Sequence, residues 1–229
     1  MSKYLIIGDC GYLGKNLKSI LGLGDFDVYN RSNTPTDLEM KIANAEYIMH
    51  FAAVQRPLVN QNFGQNLELT ERIIGEIKKH GGKKLIFTSS MNVFLANDFG
   101  KSKVAEENLI VNNIGDNIYQ IYRLPNTYGP YGRANYNSVF ATFVYAVKNS
   151  TGLSINNPNA IVGFKFIGHV LDEMLHRAQE NVSFIKNLEP DVYFGLPKLL
   201  NTIIDVKNGV TEGVPNTLVS SIRFYLSND

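Results

Sequence analysis

A glycine-rich stretch near the start constrains the fold of this chain more than any other feature. An apolar run at 4–7 is followed by three glycines, Gly8, Gly11 and Gly14, and by apolar residues at helical spacing, Leu13, Leu17, Ile20 and Leu21. This order predicts a buried parallel strand, a tight turn and a helix. Glycines at a strand-to-helix turn let the backbone approach a pyrophosphate, which the helix N-terminus also favours.

The turn therefore predicts a dinucleotide site, although glycines alone also occur in plain turns. In a dinucleotide site Gly8 allows the tight bend, Gly11 allows close approach to the phosphates, and Gly14 allows the helix to pack on the strand. The expected cofactor contacts at the turn are Gly8, Gly11, Tyr12, Leu13 and Gly14.

Composition excludes several classes of function. The 229 residues are 44% hydrophobic, enough for one large domain or a main domain with a small appendage. A formal net charge of +1 gives no electrostatic case for nucleic acid or an anionic membrane. We expect no signal peptide, because the first apolar run is short and ends in the glycine turn. We expect no membrane span, because no apolar run reaches about 18 residues. The single cysteine, Cys10, excludes an internal disulfide and fits a reducing cytoplasm.

Strand and helix signals alternate through the first half of the chain. Strands are predicted over 25–30, 46–53, 83–89 and 117–123, and helices over 36–44, 66–80 and 99–112. Alternation of this kind predicts an α/β fold, a Rossmann-like doubly wound parallel sheet.

A loop rich in Pro and Gly, over 124–132, interrupts this pattern. A helix over 137–148, short strands near Leu153 and Ile161, helices over 169–180 and 197–206, and an apolar segment over 217–226 follow. We therefore expect a dinucleotide-binding domain over 1–130 and a small C-terminal substrate-binding lid over 131–229.

The residues after the second strand bear on the choice between NAD and NADP. An acidic residue there would bind the ribose hydroxyls and repel a 2′-phosphate. This chain has Asn30, Arg31 and Ser32 instead, and an arginine fork pairs well with phosphate. The pattern favours NADPH, with a solvated surface arginine as the alternative interpretation.

Two stretches, 84–94 and 98–106, resemble the extended short-chain dehydrogenase/reductase family, also called the NAD-dependent epimerase/dehydratase family. Ser90 matches its catalytic Ser/Thr and Lys103 its lysine, but Phe99 occupies the position of the tyrosine. The resemblance implies hydride transfer between a nicotinamide and a sugar carbon, with the tyrosine as proton donor. Because general acid catalysis contributes about 10²- to 10⁴-fold, we expect impaired turnover unless Asp98, Tyr128 or a water substitutes.

Each of these residues also has a structural interpretation. Ser90 would merely cap a strand, Phe99 would belong to the core, and Lys103 would be one solvated charge beside Lys101, Glu106 and Glu107. Their joint spacing and order after the glycine turn favour the functional interpretation. The histidines show no metal-ligand spacing, so we expect no metal site and place His50 in a buried strand and His169 and His176 on one helix.

Three further segments, 50–57, 122–130 and 135–143, narrow the resemblance. They are similar to the reductase domain of capsule and O-antigen enzymes that reduce a UDP-linked 2-acetamido-2,6-dideoxy-4-keto-hexose at C4. The resemblance implies cofactor contacts from Phe51, Ala52, Ala53, Lys103, Pro125 and Asn126. It implies substrate contacts from Arg56, Ser90, Asn126, Arg133, Asn135, Tyr136 and Ser138.

The resemblance thus implies an NADPH-dependent C4 reductase of a nucleotide-linked 4-keto-6-deoxy sugar. Such enzymes continue into a metal-binding cupin domain, whereas this sequence ends at Asp229. A dTDP-4-keto-rhamnose-type reductase, a sugar-nucleotide epimerase and a non-catalytic nucleotide-sugar binding protein are the alternatives. Family members dimerise through two helices, which implies a homodimer formed by 66–80 and 99–112.

Overall fold

The computed structural model describes residues 3–136 and 138–228. Within these ranges the chain forms nine strands and eight α-helices. In order they are β1 (Tyr4–Ile7), α1 (Tyr12–Ile20), β2 (Phe26–Tyr29), α2 (Pro35–Asn44), β3 (Tyr47–His50), α3 (Gly64–His80), β4 (Lys84–Ser90), α4 (Asp98–Asn113), β5 (Ile118–Leu124), β6 (Asn126–Tyr128), α5 (Val139–Asn149), β7 (Ile161–Phe166), α6 (Ile167–Arg177), β8 (Phe184–Asn187), β9 (Val192–Gly195), α7 (Leu196–Lys207) and α8 (Asn216–Ser227).

The chain divides into two compact units. The first runs as far as Leu124 and includes Leu171 to Leu188. Its six-stranded sheet has the order β2-β1-β3-β4-β5-β8, with every neighbouring pair parallel. The strand order reverses at β1, because the chain adds β2 on one side and then crosses to β3 on the other. The prediction of a Rossmann-like α/β fold is confirmed.

Short apolar strands form the centre of the first unit. All four residues of β1 and of β3 are buried, as expected for parallel strands covered on both faces. The helix α3 buries residues spaced three or four apart, which is the helical period. The main core cluster draws on the sheet and on α2, α3 and α4, through Leu5, Ile48, Leu85, Ile121, Leu38, Ile42, Ile73, Ile77 and Ile110.

The second unit comprises Pro125 to Val170 and the chain from Glu189 onward. Its three-stranded sheet has the order β6-β7-β9, parallel between β6 and β7 and antiparallel between β7 and β9. The helices α5, α7 and α8 pack around an apolar cluster that includes Tyr128, Phe140, Phe164, Leu199 and Ile222.

The second unit departs from the sequence prediction in several places. The strand β6 lies inside the predicted loop, because three residues suffice to pair with β7. The expected strand near Leu153 does not form, and the sequence pattern missed β8 and β9. The predicted lid also included 171–188, but these residues belong to the first unit because β8 pairs with β5. The helix predicted to begin near Asn137 starts at Val139, and Asn137 itself lies outside the described residues.

No α-helix in the described part of the chain is long and apolar enough to cross a membrane.

A buried carboxylate fastens α4 to the sheet of the first unit. Glu107 accepts two hydrogen bonds from Arg123 of β5, at 3.0 Å from Nε and 2.6 Å from Nη2. Ser89 of β4 donates its hydroxyl to the same carboxylate at 2.5 Å. Glu107 is 4% exposed, so its charge depends on these partners.

Glu107→Ala is expected to lower the free energy of unfolding by about 3 kcal/mol, because Arg123 would lose its partner in a partly buried place. Urea denaturation measures this change. Glu68→Ala, at an exposed position of α3, is the control and should change stability by less than about 0.5 kcal/mol. Equal effects of the two changes would contradict the proposed role of the ion pair.

Candidate dinucleotide and catalytic site

The glycine turn connects β1 to α1 and packs closely against the end of β3. Gly8 has a φ of +96°, and a Cβ there would lie 2.7 Å from the backbone nitrogen of Ala52. A Cβ on Gly14 would lie 2.5 Å from Cα of Asp9. Gly11 is the N-cap of α1 and has no side chain to cover the helix end. Larger residues would therefore displace the backbone at Gly8 and Gly14.

The geometry of the turn fits a dinucleotide pyrophosphate. Tyr12 and Leu13 open α1, and amide groups in the first turn of a helix have no intrahelical acceptor. The predicted cofactor segment, Phe51 to Ala53, follows β3, and its first two amides both donate to the carbonyl of Ile7 at 2.9 Å. The turn and this segment thus lie side by side where the strand order reverses, the usual ligand position in such sheets.

A buried carboxylate inside the turn was not singled out from the sequence. Asp9 is 4% exposed and accepts from Lys18 Nζ at 2.6 Å and from Asn30 Nδ2 at 2.9 Å. Burial acts to raise the pKa of Asp9, but the hydrogen bonds from Lys18 and Asn30 outweigh it and hold the pKa below its ordinary value. Asp9 therefore connects the glycine turn to α1 and to the end of β2.

The residues after β2 form a small hydrogen-bonded loop. Asn30 Oδ1 accepts from the amide of Ser32 at 3.1 Å and from its hydroxyl at 2.7 Å. Arg31 is exposed. When the side-chain amide of Gln61 is oriented with its oxygen toward Arg31, that oxygen accepts from Nη1 and Nη2 at 3.3 and 3.1 Å. The loop thus fixes Asn30 and Ser32 internally and presents the guanidinium of Arg31 at the surface.

Ser90 lies at the end of β4, and Phe99 lies near the start of α4. Ser90 ends β4, and its hydroxyl accepts from the amide of Asn92 at 3.2 Å, which caps a short 3-10 helix, Met91–Phe94. Phe99 is the second residue of α4, is partly buried, and packs against Phe63 with 6.2 Å between the ring centroids. The sequence offered a strand cap as the structural alternative for Ser90, whereas the structure shows Ser90 as the cap of the short helix that follows.

Lys103 follows Phe99 by one helical turn and lies on the same face of α4. It is only 3% exposed, so it is not part of a solvated charged face. Its Nζ lies 3.0 Å from Glu106 Oε2 and 4.4 Å from the ring centroid of Phe87. Of the four charges considered together in the sequence, only Lys101 is exposed; Lys103, Glu106 and Glu107 are buried.

A chain of buried polar groups continues from Lys103 into the first unit. Thr70 of α3 donates its hydroxyl to Glu106 Oε1 at 2.9 Å, and His50 Nε2 lies 3.0 Å from the same hydroxyl. His50 is fully buried in β3, as predicted. The single hydroxyl proton of Thr70 is donated to the carboxylate, so the hydroxyl oxygen accepts a hydrogen bond from His50, whose Nε2 is the protonated ring nitrogen. This network was missed because its members are far apart in sequence.

Asp98 and Tyr128, the two side chains considered as substitutes for the missing tyrosine, have surroundings that do not favour proton donation. The Asp98 side chain is 79% exposed and lies 3.6 Å from Lys101. Tyr128 belongs to the second unit, where its hydroxyl lies 2.8 Å from that of Thr217. Burial raises the pKa of Tyr128, which makes it a weaker acid than an exposed tyrosine.

The second unit holds most of the residues assigned to the sugar side. The guanidinium of Arg133 lies over the ring of Tyr136 at 4.8 Å from its centroid. The amide of Asn135 donates to the hydroxyl of Thr142 at 2.8 Å. Ser138 is the N-cap of α5 and accepts from the amide of Ala141 at 3.1 Å. Arg133 and Tyr136 thus form a stacked pair.

The remaining predicted contacts lie on either side of the unit boundary. Pro125 immediately follows β5, and Asn126 is an exposed residue of β6 that pairs with Phe164 of β7. Arg56 is exposed in the loop after β3 of the first unit.

Three potential metal ligands from two helices come together although their spacing in the sequence gave no signal. Glu39 of α2 and Glu76 and His80 of α3 have ligand atoms within 4.8 Å of one another. Lys79 also pairs with Glu39, so the group already contains a positive charge.

Comparison with known proteins identifies the family. No family model matches the chain. The UDP-2-acetamido-2,6-beta-L-arabino-hexul-4-ose reductase of Pseudomonas aeruginosa is 30% identical over 245 residues, which cover 99% of this chain and 66% of that protein. The capsular polysaccharide assembling protein CapF from Staphylococcus aureus superimposes with a TM-score of 0.77 at 25% identity, over 98% of this chain and 66% of CapF.

This chain belongs to the extended short-chain dehydrogenase/reductase family. The UDP-N-acetylglucosamine 4-epimerase from Bacillus cereus shares the fold, with a TM-score of 0.77 at 15% identity over 99% of this chain and 96% of the epimerase. The chain spans about two thirds of the length of the Pseudomonas reductase and of CapF.

The buried imidazole of His50 predicts acid sensitivity. Burial, and secondarily the charge of Lys103, lowers the pKa of His50 from 6.5 to about 3. Between these values the unfolded chain binds a proton that the folded chain does not, so stability falls as the pH falls below 6.5. One proton changes the free energy of unfolding by about 1.4 kcal/mol per pH unit.

Urea denaturation at about pH 6.5 and about pH 5 should therefore show a smaller loss of stability in His50→Gln than in the parent chain, by about 1 to 2 kcal/mol. His80→Gln, at an exposed position, is the matched control and should behave as the parent does. Parallel curves for the parent and His50→Gln would contradict a neutral His50.

Proposed function

We propose that this chain binds NADPH and a UDP-linked 2-acetamido-2,6-dideoxy-4-keto sugar and reduces the C4 ketone, in the synthesis of a polysaccharide precursor. The observation that carries the proposal is the glycine turn beside 51–53, followed on β4 and α4 by Ser90 and Lys103. The 30% identity to a UDP-sugar reductase over nearly the whole chain supports the substrate class.

The cofactor supplies the hydride, and the residues of the chain bind and orient. The backbone of the glycine turn and the N-terminus of α1 hold the pyrophosphate. The Ser90 hydroxyl would orient the ketone, and Lys103 would hold the ribose of the cofactor. Arg56 and Arg133 offer cations for the diphosphate of the sugar nucleotide, and Tyr136 stacks on Arg133. Asn126, Asn135 and Ser138 are further polar contacts. The second unit supplies most of these substrate contacts.

The proposal specifies NADPH because the loop after β2 carries a positive charge and no carboxylate. Asn30 and Ser32 bond to each other, which leaves Arg31 as the charged group available to a 2′-phosphate. NAD remains the alternative, since MoeE5 was solved with UDP-glucose and NAD, at 17% identity and a TM-score of 0.76.

Arg31→Asp is expected to weaken NADPH binding by about 10- to 100-fold, because a charge-assisted contact with phosphate is lost. NADH binding should change by less than about threefold. Isothermal titration calorimetry measures both. Lys78→Asp, the same charge change at an exposed position of α3, is the control. A similar loss of affinity for both dinucleotides would contradict the assignment of NADPH.

Phe99 motivates a second candidate function, a non-catalytic nucleotide-sugar binding protein. A phenyl ring has no proton to give to the alkoxide that hydride transfer would produce. Phe99→Tyr is therefore expected to raise the rate of NADPH oxidation by about 10²-fold or more. The assay follows absorbance at 340 nm with the UDP-linked keto sugar, and a Phe99→Leu variant controls for the loss of the aromatic ring. No turnover in any variant, with NADPH binding intact, would favour the binding protein.

We also propose a cytoplasmic homodimer formed through α3 and α4. These helices leave Leu67, Val104 and Val111 at the surface, each 37 to 39% exposed. A shared apolar interface would cover them.

A further inference from the structure

The buried ion pair between Lys103 and Glu106 is a second feature, besides Phe99, that bears on proton donation at position 99. The two side chains are 3% and 0% exposed, and 3.0 Å separates Lys103 Nζ from Glu106 Oε2. Glu106 is held on its other oxygen by Thr70 at 2.9 Å. Thr70 therefore holds the carboxylate of Glu106 beside the ammonium of Lys103.

A carboxylate this close to the ammonium changes the electrostatic potential at position 99. An isolated ammonium one helical turn away would stabilise a phenolate and so lower the pKa of a tyrosine. When a carboxylate lies 3.0 Å from that ammonium, the two charges act together as a dipole, and their combined potential falls off faster with distance than that of a single charge.

We propose that the carboxylate of Glu106 offsets the positive potential of Lys103 at position 99. Glu106 thereby sets the acidity of any proton donor placed there. Glu106 is in this sense a positioning residue, because it acts through Lys103 and not on the substrate. The inference rests on the proposed function for its meaning, but the acidity of position 99 can be measured without substrate or cofactor.

The other charged groups around Lys103 do not replace this effect. His50, the next titratable group along the network, is neutral near pH 7. Glu107 is paired with Arg123 of β5. Asp98 and Lys101 are exposed and oppose each other at 3.6 Å. Glu106 is thus the buried charge closest to Lys103 among the described ion pairs.

The consequence is that the phenol produced by Phe99→Tyr alone gains little acidity from Lys103. Adding Glu106→Gln removes the negative charge and keeps an oxygen that can accept from Thr70. In that double variant the ammonium of Lys103 acts on the phenol without a counter-charge. We therefore expect the introduced phenol to be more acidic, and reduction to be faster, than in Phe99→Tyr alone.

Tyrosinate absorbance at 295 nm, followed from about pH 7 to about pH 11 without ligand, tests this. The chain has 12 tyrosines of its own, so each variant that carries Phe99→Tyr is compared with the same background carrying Phe99. The difference between the two titrations belongs to the introduced phenol. Burial raises the pKa of Tyr47 and Tyr122, and that of Tyr225 to about 12, which keeps those three tyrosines out of the titration range.

The expected midpoint of the introduced phenol falls by about one pH unit when Glu106→Gln is added to Phe99→Tyr. Adding both Lys103→Met and Glu106→Gln to Phe99→Tyr should leave the midpoint within about 0.3 pH units, since the pair that is removed carries no net charge. The arm that removes both charges gives an answer even where Glu106→Gln alone fails to fold, as judged by circular dichroism, because it leaves no buried charge unpaired.

A rise of about one pH unit on adding both Lys103→Met and Glu106→Gln would overturn the proposal, because it would show that Lys103 acts without a counter-charge. An unchanged midpoint in a folded variant that combines Phe99→Tyr with Glu106→Gln would overturn it as well. Neither result bears on whether the chain reduces a keto sugar, which the assay at 340 nm decides separately.

Discussion

The close approach of two backbone segments at the reversal of strand order determines the rest of the first unit. Gly8 leaves no room for a side chain against Ala52, and Gly14 leaves none against Asp9. Because the contact is between backbones, α1 begins directly above the ends of β1 and β3, and its N-terminus is left for a ligand. The location of the dinucleotide site is thus a consequence of packing, and the polar residues around it only refine which dinucleotide fits.

Buried carboxylates organise the catalytic side of the same unit. Glu107 joins α4 to β4 and β5 through Ser89 and Arg123, and Glu106 joins it to α3 through Thr70. The two carboxylates prevent α4 from rotating about its own axis. They thereby fix the direction of the helix face that carries positions 99 and 103. A scaffold of this kind preserves the placement of positions 99 and 103 whatever side chain position 99 carries.

Local patterns in the sequence were sufficient for the glycine turn, the alternation of strands and helices, and the buried His50. These features depend on residue spacing within a few turns or one strand. The pairing of β8 with β5 joins segments about 60 residues apart, and four-residue strands have too little periodicity to reveal it. The burial of Lys103 and Glu106 was missed for a related reason: charged residues on a helix are usually solvated, and only Thr70 and the sheet make these two an exception.

The hydrogen bonds of Asp9 have a consequence for the thermodynamics of ligand binding. They connect the glycine turn, α1 and the loop after β2, the three places that a dinucleotide would contact through its adenosine half. Conformational entropy in these segments is therefore lost when the chain folds and not when a ligand arrives. A buried charge at the centre of the turn, costly for folding, in this way makes association at that half of the site less entropically unfavourable.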